Sequence, residues 1–305
     1  MTDLAELVPT GEKVWVSYYN HDILLFFLTG PLNMTSSMTA HNEAFTLYAV
    51  VNDGIKAKKL GTGGNPKELE EKYKIVEAMR YDYVQSRIYP QYMAQLEIKT
   101  CVYCNAQYSF AVQGALDYIN YQLDHYLPKS KYPFLCTTFM NLQPCCPKCN
   151  QIKSNRVPNP SEEELFQLFT ADANPVSPVK FSLPRLGIAR YMVSLDSKDL
   201  MIKFDCPGNQ KLLNGYNRYF HVSDLYQAHR DVAEELIWKQ KIYNRIFIDI
   251  YKDQFKRLGF KDSHFARFIL GNFEQPKDIH KRPLAKMTQD IAEQLEILKK
   301  IVKMS

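Results

Sequence analysis

Long apolar runs are missing from this chain. The longest lies between Ile23 and Leu28, far short of the roughly 20 residues a membrane helix needs, so no membrane association is expected. The start, Met1 to Val8, is polar and acidic. A secretory leader would be basic and then apolar, so none is expected, and the expected location is the cytoplasm. Charge of one sign is also scarce: the net charge of +5 is too small to demand a polyanionic partner by itself. Internal repeats and low-complexity tracts are absent. Cysteine is sparse and odd in number, seven in all, with four in close-spaced pairs. That pattern argues against a disulfide framework and for reduced thiolates on a metal. What remains is an ordinary globular composition, 46% hydrophobic and 23% charged. The chain is long enough for one large domain or two small ones.

Three regions are expected. Residues 1–95 hold no catalytic constellation. Phe45 to Val51 reads as a strand before the turn Asn52-Asp53-Gly54. The loop Gly61 to Asn65 precedes a helix with Pro66 near its first position and Glu68, Glu70 and Glu71 in its first turns, running on towards Gln95. That Gly-rich loop lacks the Lys-Ser/Thr ending of a phosphate cradle and reads as a linker. Residues 96–160 hold the chemistry. Residues 161–305 read as mainly helical with one β-hairpin, Tyr191–Leu195 and Leu200–Phe204 flanking Asp196 to Asp199. A long helix capped by Ser223 and stopped by Gly259 should follow, then a shorter one ending at Gly271. A last helix should open at Pro283, with Leu284, Ile291, Leu295, Leu298 and Val302 on one stripe.

The middle region reads Cys101-Val-Tyr-Cys104, then Leu123-Asp124-His125-Tyr-Leu-Pro128-Lys-Ser130, then Asn141-Leu-Gln-Pro-Cys145-Cys146-Pro-Lys-Cys149-Asn150-Gln-Ile-Lys153. Two Cys-x-x-Cys turns, Cys101/Cys104 and Cys146/Cys149, supply the four thiolates of a tetrahedral Zn²⁺ site with no open position, which makes the zinc structural. Cys145 is the alternative ligand, at a less suitable spacing; Cys136 and Cys206 read as buried small residues. Tyr118 to Leu123 alternates, so Asp124 and His125 should stand at a strand end. Hydrolysing a phosphodiester needs an activated water and a cation for the charge on the leaving oxygen. An imidazole suits the first task and a carboxylate with an amide oxygen suits a hard ion. Asp124 and Asn150 are therefore expected to hold Mg²⁺ or Mn²⁺, with His125 as general base. Asn150 should begin a helix, Lys153 should lie one turn on and meet a phosphate, and Asn141 should hold the loop that carries His125. From Lys99 to Asn159 six Lys/Arg stand against two Asp, a local excess that suits a polyanion.

These residues resemble the HNH endonucleases of the ββα-metal fold. In that family a Cys-x-x-Cys, an Asp-His followed by Pro and Ser, an Asn-Leu and a Cys-x-x-Cys-Asn-x-x-Lys occur in this order. The third letter of the name is here Asn150, a variant that keeps a metal ligand. The resemblance implies an α+β chain in which a ββα-metal module with structural zinc sits between mostly helical N- and C-terminal regions. It also implies cleavage of DNA, with RNA as the alternative substrate. More loosely, the helical C-terminal arm and the segment Arg282-Pro-Leu-Ala-Lys-Met-Thr-Gln-Asp290 are similar to nuclease subunits of Septu-type anti-phage systems, which implies an ATPase partner of the ABC/SMC type. In a different class stands a catalytically silent zinc-ribbon adaptor, which has no need of Asp124, His125 and Asn150 together. His21, His41, His221, His264 and His280 fall in no metal spacing and read as surface or packing residues; His229 reads as mid-helix.

Overall fold

The computed structural model describes residues 76, 81–90, 98–112, 118–132, 135–137, 141–157, 159, 161–163, 178–297 and 299. The strand expected at Phe45 to Val51, the Gly-rich loop, the helix start at Pro66 and the positions Leu298 and Val302 lie outside them. The described residues fall into two compact units. Those up to 157, without 98–108, form the first; 98–108 and the residues from 159 onward form the second. Among the described residues no helix is long and apolar enough to cross a membrane.

In the first unit a helical turn, α1 (Tyr81–Tyr83), runs into a π-helical turn at Val84–Ile88. Strands β1 (Phe110–Val112) and β2 (Tyr118–Asn120) pair antiparallel. Strands β3 (Gln122–His125) and β4 (Leu142–Cys145) form a second antiparallel pair, with Gln122 opposite Cys145 and His125 opposite Leu142. Helix α2 (Pro147–Lys153) follows β4 directly. Alternation along β3 sends Leu123 into a core with Tyr81, Tyr89, Leu127, Leu135 and Leu142, and turns Gln122 and Asp124 towards α2, whose Asn150 and Lys153 they meet. The first unit thus presents strand, strand and helix in that order, with Asp124 and His125 at the end of β3 as expected. Asn150 does not begin the helix. Cys146 is the extended N-cap and Pro147 takes the first position, where a missing N–H is harmless. Asn150 sits one turn in.

The second unit begins with the segment of the first Cys-x-x-Cys, closed by a bridge between Thr100 and Tyr108. Its sheet pairs β5 (Lys180–Ser182) with β6 (Lys203–Asp205), antiparallel. The expected hairpin of 191–195 with 200–204 is therefore wrong. Tyr191 to Ser194 finish helix α3 (Arg185–Ser194), and Leu195 caps it in the left-handed region. Gly187 of this helix faces the turn that follows it. It lets the 3₁₀ turn Ser197–Asp199 approach α3 so closely that a methyl there would lie 3.2 Å from the Asp199 carbonyl.

The long helix expected from Ser223 to Leu258 is instead three: α5 (Val222–Gln227), α6 (Arg230–Ile242) and α7 (Arg245–Arg257), preceded by α4 (Gln210–Phe220). His221, in the left-handed region, opens α5, and Asn244 caps α7 by accepting from Phe247 N. His221 thus takes the capping place expected of Ser223, and the breaks that apolar periodicity does not register fall at 228–229 and 243–244. His229 is the N-cap of α6, not a mid-helix residue, with its ring 6.0 Å from Tyr226. Helix α8 (Asp262–Leu270) ends at Gly271 as expected, and α9 (Ala285–Gln294) opens after Leu284, its left-handed N-cap, rather than at Pro283. Asp290 of α9 accepts from Phe181 N at 2.9 Å, and Gln294 bonds both backbone groups of Leu183, which ties β5 to α9.

Candidate active site

His125 ends β3 and is buried. Its Nε2 lies 3.0 Å from the Cys136 carbonyl. A carbonyl only accepts, so Nε2 carries the proton and Nδ1 keeps the lone pair. The ring of Tyr81 lies 5.0 Å away, tilted by 47°. Burial lowers the imidazole pKa to about 4; the Cys136 carbonyl opposes that shift, and the charges of Lys129 and Lys153 add to it. At neutral pH the ring is uncharged, the form a base needs.

Asn141 builds the support beneath it. This fully buried amide accepts from Leu127 N at 2.7 Å and donates to the carbonyls of Leu127 and Leu135, at 3.0 and 3.1 Å, while its own carbonyl accepts from Tyr126 N. One side chain thereby closes the loop that leaves His125 and returns at Cys136.

Helix α2 supplies the other side. Asn150 and Lys153, three positions apart, share the face turned to β3. Asn150 donates its amide NH₂ to Gln122 Oε1 at 2.7 Å, which leaves the amide oxygen as the free end. Lys153 is fully buried; its Nζ lies 3.1 and 2.9 Å from the two Asp124 carboxylate oxygens and 2.7 Å from the His125 carbonyl. Burial pulls the Lys153 pKa down against the opposing pull of Asp124. In this structure the Lys153 ammonium is thus turned to Asp124 and to the His125 carbonyl, not to solvent. Its four-carbon stem, which starts at the last residue of α2, reaches the buried Asp124 carboxylate.

Hard cations such as Mg²⁺ keep several waters and need one or two protein carboxylates or carbonyls. By donor type a carboxylate and an amide oxygen suit such an ion, and in this structure both Asp124 oxygens lie on the Lys153 ammonium.

The sulfurs of Cys101, Cys104, Cys146 and Cys149 all lie within 4.8 Å of one another, and all four residues are buried. Tetrahedral zinc with Zn–S near 2.3 Å places sulfurs about 3.8 Å apart, so the cluster is compatible with zinc and has no place for a substrate. Every cysteine is free of disulfides. Cys145 is not in the cluster: as the last residue of β4 it points its thiol at the Gln122 carbonyl, 3.6 Å away. The first Cys-x-x-Cys is held by Asn105, in the left-handed region, whose side chain donates to Thr100 and Ile279 and accepts from Lys286 N. Tyr226 donates to the Cys104 carbonyl at 2.7 Å. Cys136 and Cys206 are buried as expected.

Sequence reasoning missed three participants. Gln122 orients Asn150, and Tyr81 covers His125. Lys129 is exposed, with Nζ 4.3 Å from the Tyr81 ring centroid, and its charge reaches His125. Its position one residue after Pro128 was the available signal; Tyr81, remote in sequence, offered none.

Residues 101–159 match the family model described as HNH endonuclease. That span contains both Cys-x-x-Cys turns, Asp124, His125, Asn141, Asn150 and Lys153. Comparison with curated proteins gave no match, and neither did comparison with solved structures. The chain thus carries, at 101–159, an HNH endonuclease domain with a four-cysteine cluster, which at family level supports a metal-dependent nuclease, a hydrolase acting on nucleic acid.

Proposed function

We propose that this protein is an endonuclease of the ββα-metal type that hydrolyses phosphodiester bonds of DNA. The observation that carries the reading is the bond from His125 Nε2 to the Cys136 carbonyl, which leaves Nδ1 as a neutral base next in sequence to a carboxylate. His125 Nδ1 takes the proton of the attacking water. Asp124 and Asn150 would hold a Mg²⁺ or Mn²⁺ ion, which when bound neutralises charge developing on the leaving oxygen. Asn141 fixes the loop behind the imidazole, Lys129 offers its exposed ammonium to the phosphate, and Lys153 holds the Asp124 carboxylate in place. Cys101, Cys104, Cys146 and Cys149 would hold a structural zinc. A zinc-ribbon adaptor would need neither the oriented imidazole nor the oriented amide.

The test is cleavage of DNA and RNA of matched sequence by the full chain, with Mg²⁺ or Mn²⁺ added. Cleavage of DNA, lost in His125→Ala, supports the reading. Cleavage confined to RNA moves the substrate, since such a site grips the backbone and reads little base identity. No cleavage of either by zinc-loaded chain favours the adaptor.

Service in a Septu-type defence complex with an ATPase partner is the finer reading. What supports a protein partner is the surface of α7, where Ile246 and Ile250 are 70% and 55% exposed one turn apart. The segment Arg282 to Asp290 lends less weight. Lys286 pairs with Asp290, Asp290 holds β5, and Met287, Thr288 and Gln289 are buried, so internal packing accounts for it. Co-purification of an ATPase with the chain from its native operon tests this reading.

A further inference from the structure

The second unit has a pocket of about 420 Å³, lined by Phe255 of α7, Phe260 of the following loop, His264, Arg267 and Phe268 of α8, Gly271, and Arg282. That volume lies in the range of small-molecule sites. Helix α8 buries Phe265, Ala266, Ile269 and Leu270. Its pocket face is His264, Arg267, Phe268 and Gly271, at i, i+3, i+4 and i+7, a position where a surface helix is ordinarily polar. Phe268 and Phe260 stay 54% and 49% exposed. Their ring centroids lie 5.2 and 5.6 Å from that of Phe255, so three rings cluster with two of them open to solvent.

The charged side chains that line the pocket, Arg267 and Arg282, have one sign. The guanidinium carbons of Arg267 and Arg282 lie 5.2 and 5.8 Å from the Phe273 ring centroid, and Arg282 donates to the Gly271 carbonyl at 2.6 Å. Two acids near in sequence are taken elsewhere: Asp262 pairs with Lys252, and Asp278 with Lys281. Among the described residues neither arginine forms an ion pair. His264 Nδ1 accepts from Lys261 N at 3.2 Å, so Nε2 carries a proton to donate.

An apolar ligand has no use for two arginines, and a bare phosphate has none for three rings. A planar aromatic group that carries an anion uses both, by stacking and by charge-assisted hydrogen bonds. We infer that this pocket binds a nucleotide, with the base among Phe255, Phe260 and Phe268 and the phosphate on Arg267 and Arg282. The nucleotide is either free or an unpaired one within a strand; the chemistry is shared. This inference goes beyond the nuclease reading and stands without it, because no residue of the His125 site takes part.

The experiment uses the full chain carrying His125→Ala, so that no probe is cleaved. Affinities are measured for ATP, for dAMP and for a short labelled single-stranded oligodeoxynucleotide, with inorganic phosphate as control. Phe268→Ala and Arg267→Gln should each weaken binding about tenfold, and Phe268→Trp should retain it. Weakening seen with ATP or dAMP identifies a free nucleotide; weakening confined to the oligonucleotide identifies an unpaired nucleotide of a strand. Affinities that no variant changes, or phosphate binding as tightly as the nucleotides, overturn the proposal. Photolabelling of the parent chain with 8-azido-ATP and with an azido-substituted oligonucleotide decides the matter even where a variant fails to fold. Label at 255–282 from either probe supports the site, and label from both only elsewhere overturns it.

Discussion

Replacing Lys153 with methionine keeps most of the side-chain volume and removes the ammonium that lies 2.9 and 3.1 Å from the Asp124 oxygens. Both partners are almost wholly buried, so the Asp124 carboxylate is left without its cation where water cannot replace it. Removing one partner of a buried ion pair costs about 3–5 kcal/mol. Burial already outweighs the attraction of Asp124 in setting the Lys153 pKa, so the pair as a whole stabilises less than either half destabilises when left alone. Asp124→Asn with Lys153→Met should therefore lose less than Lys153→Met alone, about 1 kcal/mol for the hydrogen bond to the His125 carbonyl plus whatever the new packing costs. Urea unfolding of zinc-loaded protein, followed by Tyr fluorescence, measures both variants and the Asp124→Asn single. A Lys153→Met protein that unfolds within about 1 kcal/mol of the parent, yet binds DNA more weakly, would refute the reasoning and return Lys153 to the phosphate.

Four further outcomes are expected. Lys129→Gln, which removes the exposed cation beside His125, should raise KM for DNA and flatten its salt dependence with kcat nearly unchanged; an unaltered KM across salt concentrations excludes Lys129 from substrate contact. His125→Ala should lower cleavage by about 10²-fold or more with zinc content retained, and parent-level cleavage in a clean preparation removes His125 as base. Cys104→Ser and Cys149→Ser should yield metal-poor, poorly folding protein while Cys145→Ser stays close to the parent, because the Cys145 thiol faces Gln122; elemental analysis of each reads the result. Asn141→Asp keeps an acceptor for Leu127 N but turns a carboxylate oxygen on the carbonyls of Leu127 and Leu135, so amide exchange across 126–137 should quicken, and unchanged exchange contradicts the clamp.

The four-cysteine cluster and the Asp124-His125 pair were legible in the sequence because their chemistry is carried by residue type and short spacing. Two thiols three positions apart make a metal turn wherever the turn sits, and an alternating run that ends in Asp-His places both at a strand end. Asn141 was legible for the same reason, as was the stop of α8 at Gly271, where a left-handed φ of 73° suits a residue without a Cβ. Spacing could not say which partner a side chain would find. The motif pointed Lys153 at a phosphate and gave Lys129 no role. Only the tertiary structure buries the first against Asp124 and leaves the second over Tyr81, because a buried charge goes to its nearest counter-charge and that distance is set by how α2 lies on β3. The hairpin misread at 191–204 has the same origin. Tyr191 to Leu195 have strand propensity, but β6 pairs with β5, whose residues lie before α3 in the chain, and pairing across the sequence is decided by which surfaces bury each other. The pocket beside α8 was invisible for that reason too: Phe255, Arg267 and Arg282 come from separate elements, and only their packing turns scattered rings and cations into one cavity.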